Sequence, residues 1–145
     1  MHEKISALIS RKSACVLATV SENRPHCSLM AYIPAADART VFLVSSRSTR
    51  KYHNILRNKH VSLLIDTRDE SDGPAGEWTK ALTVTGHCRP MADGPDKEAV
   101  REKFRQRHPE LKKLLEHPDS DILEVRPDSF LFLDGVMESY FEKAD

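Results

Sequence analysis

Short apolar runs separated by polar turns dominate the chain, and helical spacing is confined to a few stretches. Residues 2–12 place Ile5, Leu8 and Ile9 on one helical face, with Lys4, Arg11 and Lys12 elsewhere. That spacing predicts a short amphipathic helix. Residues 14–20 and 26–33 read as strands joined by the polar turn Ser21-Glu22-Asn23-Arg24-Pro25, in which Pro fixes φ and Asn tolerates the left-handed region. In the second strand His26, Ser28, Met30 and Tyr32 share one face, and Cys27, Leu29, Ala31 and Ile33 share the other. His26 and Ser28 then either line a cleft or form a polar rim. Residues 81–90 alternate in the same way, with Leu82, Val84 and Gly86 opposite Thr83, Thr85 and His87. Residues 95–107 read as a helix that opens on Pro95 with Asp96 and Glu98 and ends among Arg101, Lys103, Arg105 and Arg107. A further turn or two of helix is expected over 110–116, with His108 and His117 as boundary residues. Residues 121–133 form the last strand or strands, with a bulge or break at Arg126-Pro127. The tail from 135 to 145 carries Val136, Met137, Tyr140 and Phe141, so it is expected to dock on its own sheet or on a partner.

The chain is organised around residues 40–65. Val41 to Val44 is an apolar strand and 61–65 a second one. Between them, Ser45-Ser46-Arg47-Ser48-Thr49-Arg50-Lys51 sets four hydroxyls and three cations within seven residues. Tyr52, Ile55 and Leu56 then follow helical spacing up to a stop at Asn58. A hydroxyl-rich segment opening a helix presents free backbone N–H groups and the positive end of the helix dipole. With Arg50 and Lys51 at the same place, its natural guest is a phosphate dianion, each charge-assisted hydrogen bond being worth roughly 1.5–3 kcal/mol. The plain alternative is a solvated helix cap with surface cations.

Totals narrow the function classes. One domain, 1–145, is expected from the length. Lys plus Arg equals Asp plus Glu, 22 each, which argues against a general nucleic-acid binder. No run approaches the roughly 18 apolar residues that span a bilayer, so no membrane partner is expected. The opening MHEKISALISRKS lacks a long apolar stretch and a small-residue cleavage site. Cys15, Cys27 and Cys88 are odd in number and without a Cys-x-x-Cys pair, which points to reduced, buried thiols in a cytoplasmic protein rather than a metal site. Residues 66–80 form the longest irregular stretch and end near Trp78, the single Trp, which either packs over a ligand or an interface or simply starts a strand.

Several strands, tight turns and short helices suggest a mainly β, α+β molecule built on a small antiparallel barrel. Ser45 with Thr49-Arg50-Lys51 and Asn58-Lys59, the upstream Cys15-Val16-Leu17-Ala18-Thr19-Val20 and Asn23-Arg24-Pro25-His26-Cys27-Ser28, and the later Leu82-Thr83-Val84-Thr85-Gly86-His87-Cys88 together carry a resemblance. In serial order they resemble the pyridoxamine 5′-phosphate oxidase-like FMN-binding split β-barrels. The resemblance implies a six-stranded antiparallel split barrel with capping helices, forming a homodimer with FMN between subunits. It implies that Arg50 and Lys51 hold the flavin phosphate, helped by Ser45 or Thr49. It further implies that Ser28, Leu29, Met30 and Val44 border the ring. The function implied is that of an FMN-dependent oxidoreductase acting with a small-molecule redox partner. Positions where the true oxidases carry Arg and Lys in the second strand hold Leu29 and Pro34, a flavin-contacting Gln is replaced by Ala81, and no Arg-x-His motif lies near the C-terminus. A true pyridoxamine phosphate oxidase is therefore not expected.

Alternatives from other classes are a haem-binding or haem-degrading protein, with His26 or His87 as axial ligand, and a non-enzymatic flavin carrier. F420 is an alternative to FMN. No catalytic set of Ser-His-Asp, paired carboxylates or Cys-His stands out. His26 is the single acid–base candidate near the implied ring.

Overall fold

In the computed structural model, which describes residues 2–70 and 79–144, the elements follow in the order α1 (Glu3–Arg11), β1 (Ala14–Ser21), β2 (Arg24–Pro34), β3 (Val41–Ser46), α2 (Arg50–Arg57), β4 (His60–Asp66), β5 (Lys80–Pro90), α3 (Pro95–Arg107), α4 (Lys112–Glu116), β6 (Ser120–Asp134) and β7 (Glu138–Lys143). Strand order is β3-β2-β1-β4-β5-β6-β7, all neighbours antiparallel, and β3 also pairs with β6. Six strands thus close into the ring of a split barrel. The seventh is the apolar tail, which docks on its own sheet as a hairpin partner of β6. Trp78 lies outside the described residues.

Local chemistry explains the joints. Glu22 and Asn23, both at positive φ (52° and 60°), make the two-residue turn between β1 and β2. The ladder there starts at Ser21↔Arg24, so the second strand begins two residues before His26. Near Arg126-Pro127, β6 bulges and continues: Thr85 faces Ser129, but Gly86 faces Pro127. Gly86 permits this approach, because a Cβ there would collide with the Arg126 carbonyl.

Two clusters make the core. The inner faces of the ring bury Leu17, Tyr32, Leu43, Leu63, Val84 and Phe130, among others, and α1 adds Ile5, Leu8 and Ile9 to the same cluster. The Tyr32 hydroxyl donates to the Ile9 carbonyl at 2.6 Å and pins α1 in place. Each such buried aliphatic side chain contributes about 1.5–3 kcal/mol. The second cluster joins Val100, Phe104 and Leu115, on α3 and α4, to Ile33, Val44 and Ile122 on the strands. His108, at the end of α3, is buried with Nε2 at 3.0 Å from the Tyr32 carbonyl, so it anchors α3 to β2 and is more than a boundary residue.

Cysteine burial is corrected at one position. Cys15 and Cys88 are buried, and burial pushes both thiols up to about 12. Cys27 is exposed, because odd-numbered residues in the first half of β2 point outward.

Candidate functional site

The barrel splits between β2 and β3. Their ladder covers three pairs, Tyr32↔Leu43, Ile33↔Phe42 and Pro34↔Val41. Continued in register, it would join Ala31 to Val44, Met30 to Ser45 and Leu29 to Ser46, but these pairs do not form. The strands diverge there, and the gap is a cleft of about 220 Å³ lined by those same six residues with Thr49, Lys51, Leu111 and Leu114. Backbone donors and acceptors that a ladder would consume face an open recess instead. The site thus arises from a sheet edge left open inside a nearly closed ring.

One wall is the turn from β3 into α2. Thr49 is the N-cap, its Oγ1 accepting from the Tyr52 amide at 3.3 Å. That Oγ1 donates to the Ser46 carbonyl at 2.9 Å and lies 2.9 Å from Ser45 Oγ. Both hydroxyls are therefore spent on ordering the turn. The donors left for an anion are Lys51 Nζ and the backbone amides of Arg50 and Lys51, which have no intrahelical acceptor. No acid stands in that first turn. Among the described residues no carboxylate pairs with Lys51, whereas Lys4 has one such partner and Lys12 and Lys97 have two each.

The structure brings together Leu29, Met30, Val44, Ser45, Thr49 and Lys51 and leaves out Ser28 and Arg50. Ser28 is not in the lining, because the strands have already diverged beyond Leu29. Arg50 lies one residue before Lys51 on the helix and lines a different recess, against the β1–β2 turn. Arg50 and Lys51 thus line two separate recesses on either side of the start of α2. Within β2, Met30 is buried while Leu29 is 79% exposed, since successive side chains point to opposite faces. The stretch Leu29 to Ala31 thus offers the cleft its backbone as much as its side chains.

Beneath the turn lies a buried ionic network that the sequence reading missed. Asp121, opposite Ser45 in the β3–β6 ladder, is buried. It accepts from Lys97 Nζ at 2.7 Å and from the Tyr52 hydroxyl at 2.6 Å, with Arg47 at 3.5 Å. Burial works to raise the Asp121 carboxyl, but Lys97 and Tyr52 outweigh it and hold the group below the usual carboxylate range. Burial works to lower Lys97, and Asp121 with Asp93 overcomes it, so the ammonium titrates above its ordinary value. Burial, then the bond to Asp121, raises the Tyr52 phenol. The network ties the turn, α2, α3 and β6 together behind the cleft.

A family model described as pyridoxamine 5′-phosphate oxidase matches residues 1–134. The chain belongs to the pyridoxamine 5′-phosphate oxidase family. No curated protein matches the sequence. Among solved structures, General Stress Protein 26 from Bacillus anthracis is 21% identical with a TM-score of 0.75, over 98% of this chain and 97% of its own. A heme binding protein from Mycobacterium smegmatis is 16% identical with a TM-score of 0.84; it covers 97% of this chain, which spans 57% of that protein. A FAD-binding protein from Mesorhizobium loti is 12% identical with a TM-score of 0.74, over 91% of this chain and 93% of its own. At these identities the likeness is one of fold.

In this member of the pyridoxamine 5′-phosphate oxidase family, no histidine lines the split-barrel cleft. His26 lies in the recess with Arg50, and His87 lies 3.2 Å from Asp128 in a polar recess with Arg39, Glu124 and Arg126. No group of three metal-ligating side chains occurs among the described residues. No described helix is long and apolar enough to cross a membrane. Leu111 and Leu114 close the cleft from the segment after α3, a contribution with no local signal, since it depends on how α3 folds back over β2 and β3.

Proposed function

We propose that this protein binds FMN in the cleft between β2 and β3, at the interface of a homodimer, and serves as an oxidoreductase with a small-molecule redox partner. The observation that carries the reading is the interrupted β2–β3 ladder, which ends against a capped helix N-terminus bearing an unpaired Lys51. The residues present fit the group. Lys51 and the amides of α2 would hold the phosphate, with Ser45 and Thr49 keeping the turn in shape. The freed backbone of Leu29 to Ala31 and Val44 to Ser46 would meet the polar edge of the ring, and Leu29, Leu111 and Leu114 its apolar face. FMN would supply hydride or electron transfer, and the chain position and electrostatics. The free cysteines suit a reducing, cytoplasmic location.

Two observations support a dimer. The cleft is smaller than the roughly 300–1,000 Å³ of complete ligand sites, so a second surface must finish it. An outward row also crosses six strands through successive register pairs: Leu29, Val16, Leu64, Thr83, Leu131 and Phe141. Leu29, Leu131 and Phe141 are 79%, 40% and 57% exposed, and no charge interrupts the row.

The haem reading draws on the likeness to the mycobacterial protein, but neither candidate histidine reaches the cleft. Absorbance titrations with FMN and with haem separate the two. FMN is expected to bind at micromolar levels with a perturbed flavin spectrum, and Lys51→Gln to weaken it by about tenfold. A protein that takes up haem with a His-dependent Soret band, and no FMN, overturns the proposal.

A further inference from the structure

We infer that His60 and His87 form a site for one divalent transition-metal ion of the zinc or copper class, with Asp128 orienting the second of them. The two histidines face each other directly in the β4–β5 ladder. The Cys88 amide donates to the Lys59 carbonyl at 2.8 Å, which makes 59 and 88 a hydrogen-bonded pair. His60 and His87 then form the adjacent pair without such bonds, whose Cα atoms approach to about 4.5 Å rather than about 5.5 Å. Both side chains point to the outer face. Val61 and Cys88 beside them are buried, whereas His60 is exposed and His87 half-buried. None of the other described histidines faces a second one across a ladder.

The two rings are prepared differently. Where β6 bulges, Thr85 faces Ser129 and Gly86 faces Pro127, so Asp128 is the extra residue. Its Oδ1 lies 3.2 Å from His87 Nδ1. An ionised carboxylate only accepts, so Nδ1 carries the proton and Nε2 keeps its lone pair. A carboxylate in this place fixes the ring orientation of a metal-ligating histidine and strengthens its free nitrogen as a ligand. His60 is placed by its backbone, whose amide donates to Asn58 Oδ1 at 3.0 Å at the first residue of β4. Its ring has no hydrogen-bond partner among the described residues and is free to turn toward its neighbour. The charges flanking the pair balance. Glu124 stands 2.8 Å from Arg126 and 3.6 Å from Arg89, and Asp128 is the second carboxylate against those two cations.

Imidazole nitrogens suit Zn²⁺ and Cu²⁺, whereas Mg²⁺ and Ca²⁺ take oxygen ligands. Two imidazoles do not enclose an ion, so water completes the shell. That agrees with the lack of a three-ligand group among the described residues. An ion held by two adjacent strands binds the folded chain and not the unfolded one, so it raises the unfolding midpoint. Neither histidine lines the cleft between β2 and β3.

Calorimetric titration of the whole protein with ZnCl₂ tests the site, with His60→Gln, His87→Gln, Asp128→Ala and Cys27→Ser as variants. His60, Asp128 and Cys27 are exposed, and circular dichroism checks that each variant keeps the fold. One-to-one binding at micromolar levels is expected in the wild type. It should weaken at least tenfold in either histidine variant and about 10–100-fold in Asp128→Ala. Cys27→Ser should bind as the wild type does, and MgCl₂ should give no saturable heat. In nitrogen NMR of the histidine rings, Zn²⁺ should move the signals of His60 and His87 and leave those of the other five, out of seven, in place. No saturable heat in the wild type, or wild-type affinity in any of the first three variants, overturns the inference. Loss in Cys27→Ser alone also overturns it, by placing the ion on the exposed thiol. Because zinc heat and histidine signals are the readouts, the result stands whether or not FMN binds.

Discussion

Asp121 is the residue on which the candidate site leans most heavily. A buried carboxylate survives only if its neighbours compensate for lost hydration, and here Lys97, Tyr52 and Arg47 do so from three separate segments. Asp121→Asn removes the charge and leaves the buried Lys97 with the exposed Asp93 as its remaining counter-ion, so a loss of about 3 kcal/mol is expected in chemical denaturation at neutral pH. Replacing Lys97 by Met in the same variant should recover part of it, since no buried charge then remains. The pH dependence has a definite sign. The Asp121 carboxyl titrates low in the fold, so its contribution is complete above about pH 3.9, the ordinary aspartate value, and is lost as pH falls through the lowered one. Lys97 titrates high, so its contribution is complete below about pH 10.4 and is lost as pH rises through the raised value. Denaturation curves from acid to alkaline pH should show both limbs in the wild type and no Asp121-dependent acid limb in Asp121→Asn. Equal acid sensitivity in the two proteins would remove Asp121 from this role.

At the scale of elements, α2 and the turn before it give the cleft its polarity. Thr49 caps the helix and shares hydrogen bonds with Ser45 and Ser46. Thr49→Ala should cost about 0.5–2 kcal/mol of stability and weaken FMN in parallel, because the amides would no longer be held in one orientation. Stability loss with unchanged flavin affinity would confine Thr49 to the fold. Much of this element was legible in the sequence: hydroxyls before a helical repeat are a local signal, and the strands on either side alternate or run apolar over their whole length. The bulge near Arg126-Pro127 was legible for the same reason, since proline cannot continue a ladder. What could not be read is whatever depends on pairing between distant strands. Ser45 meets Asp121 only through β3–β6, and the cleft exists only because β2 and β3 part beyond the Tyr32↔Leu43 pair. Arg50 went to the other recess because adjacent helical residues lie about a quarter-turn apart, which spacing reveals only once the helix is docked.

For the molecule as a whole, the question is what covers the uncharged row across the outer sheet. A row that runs unbroken over six strands uses the twist of the ring as a smooth surface, and its two ends, Leu29 and Phe141, are the most exposed of its large side chains. Leu29 also borders the cleft between β2 and β3, so one surface would close the cleft and bury the row together. A two-fold pairing satisfies both demands, because each copy then supplies the wall that the other lacks. Stable pairs bury roughly 800 Å² on each partner, more than Leu29 alone provides, so the row must take part along most of its length. Leu29→Glu places a charge at that seam. In an isolated chain the change costs less than about 0.5 kcal/mol, since the side chain already faces water. Sedimentation velocity should therefore show a dimeric wild type and a monomeric variant with near-normal circular dichroism. The monomer should also lose FMN affinity, although its phosphate turn is unaltered. A wild type that sediments as a monomer at micromolar concentration would instead leave the cleft to be completed from within the chain, and Leu29→Glu would then affect the flavin without changing the mass.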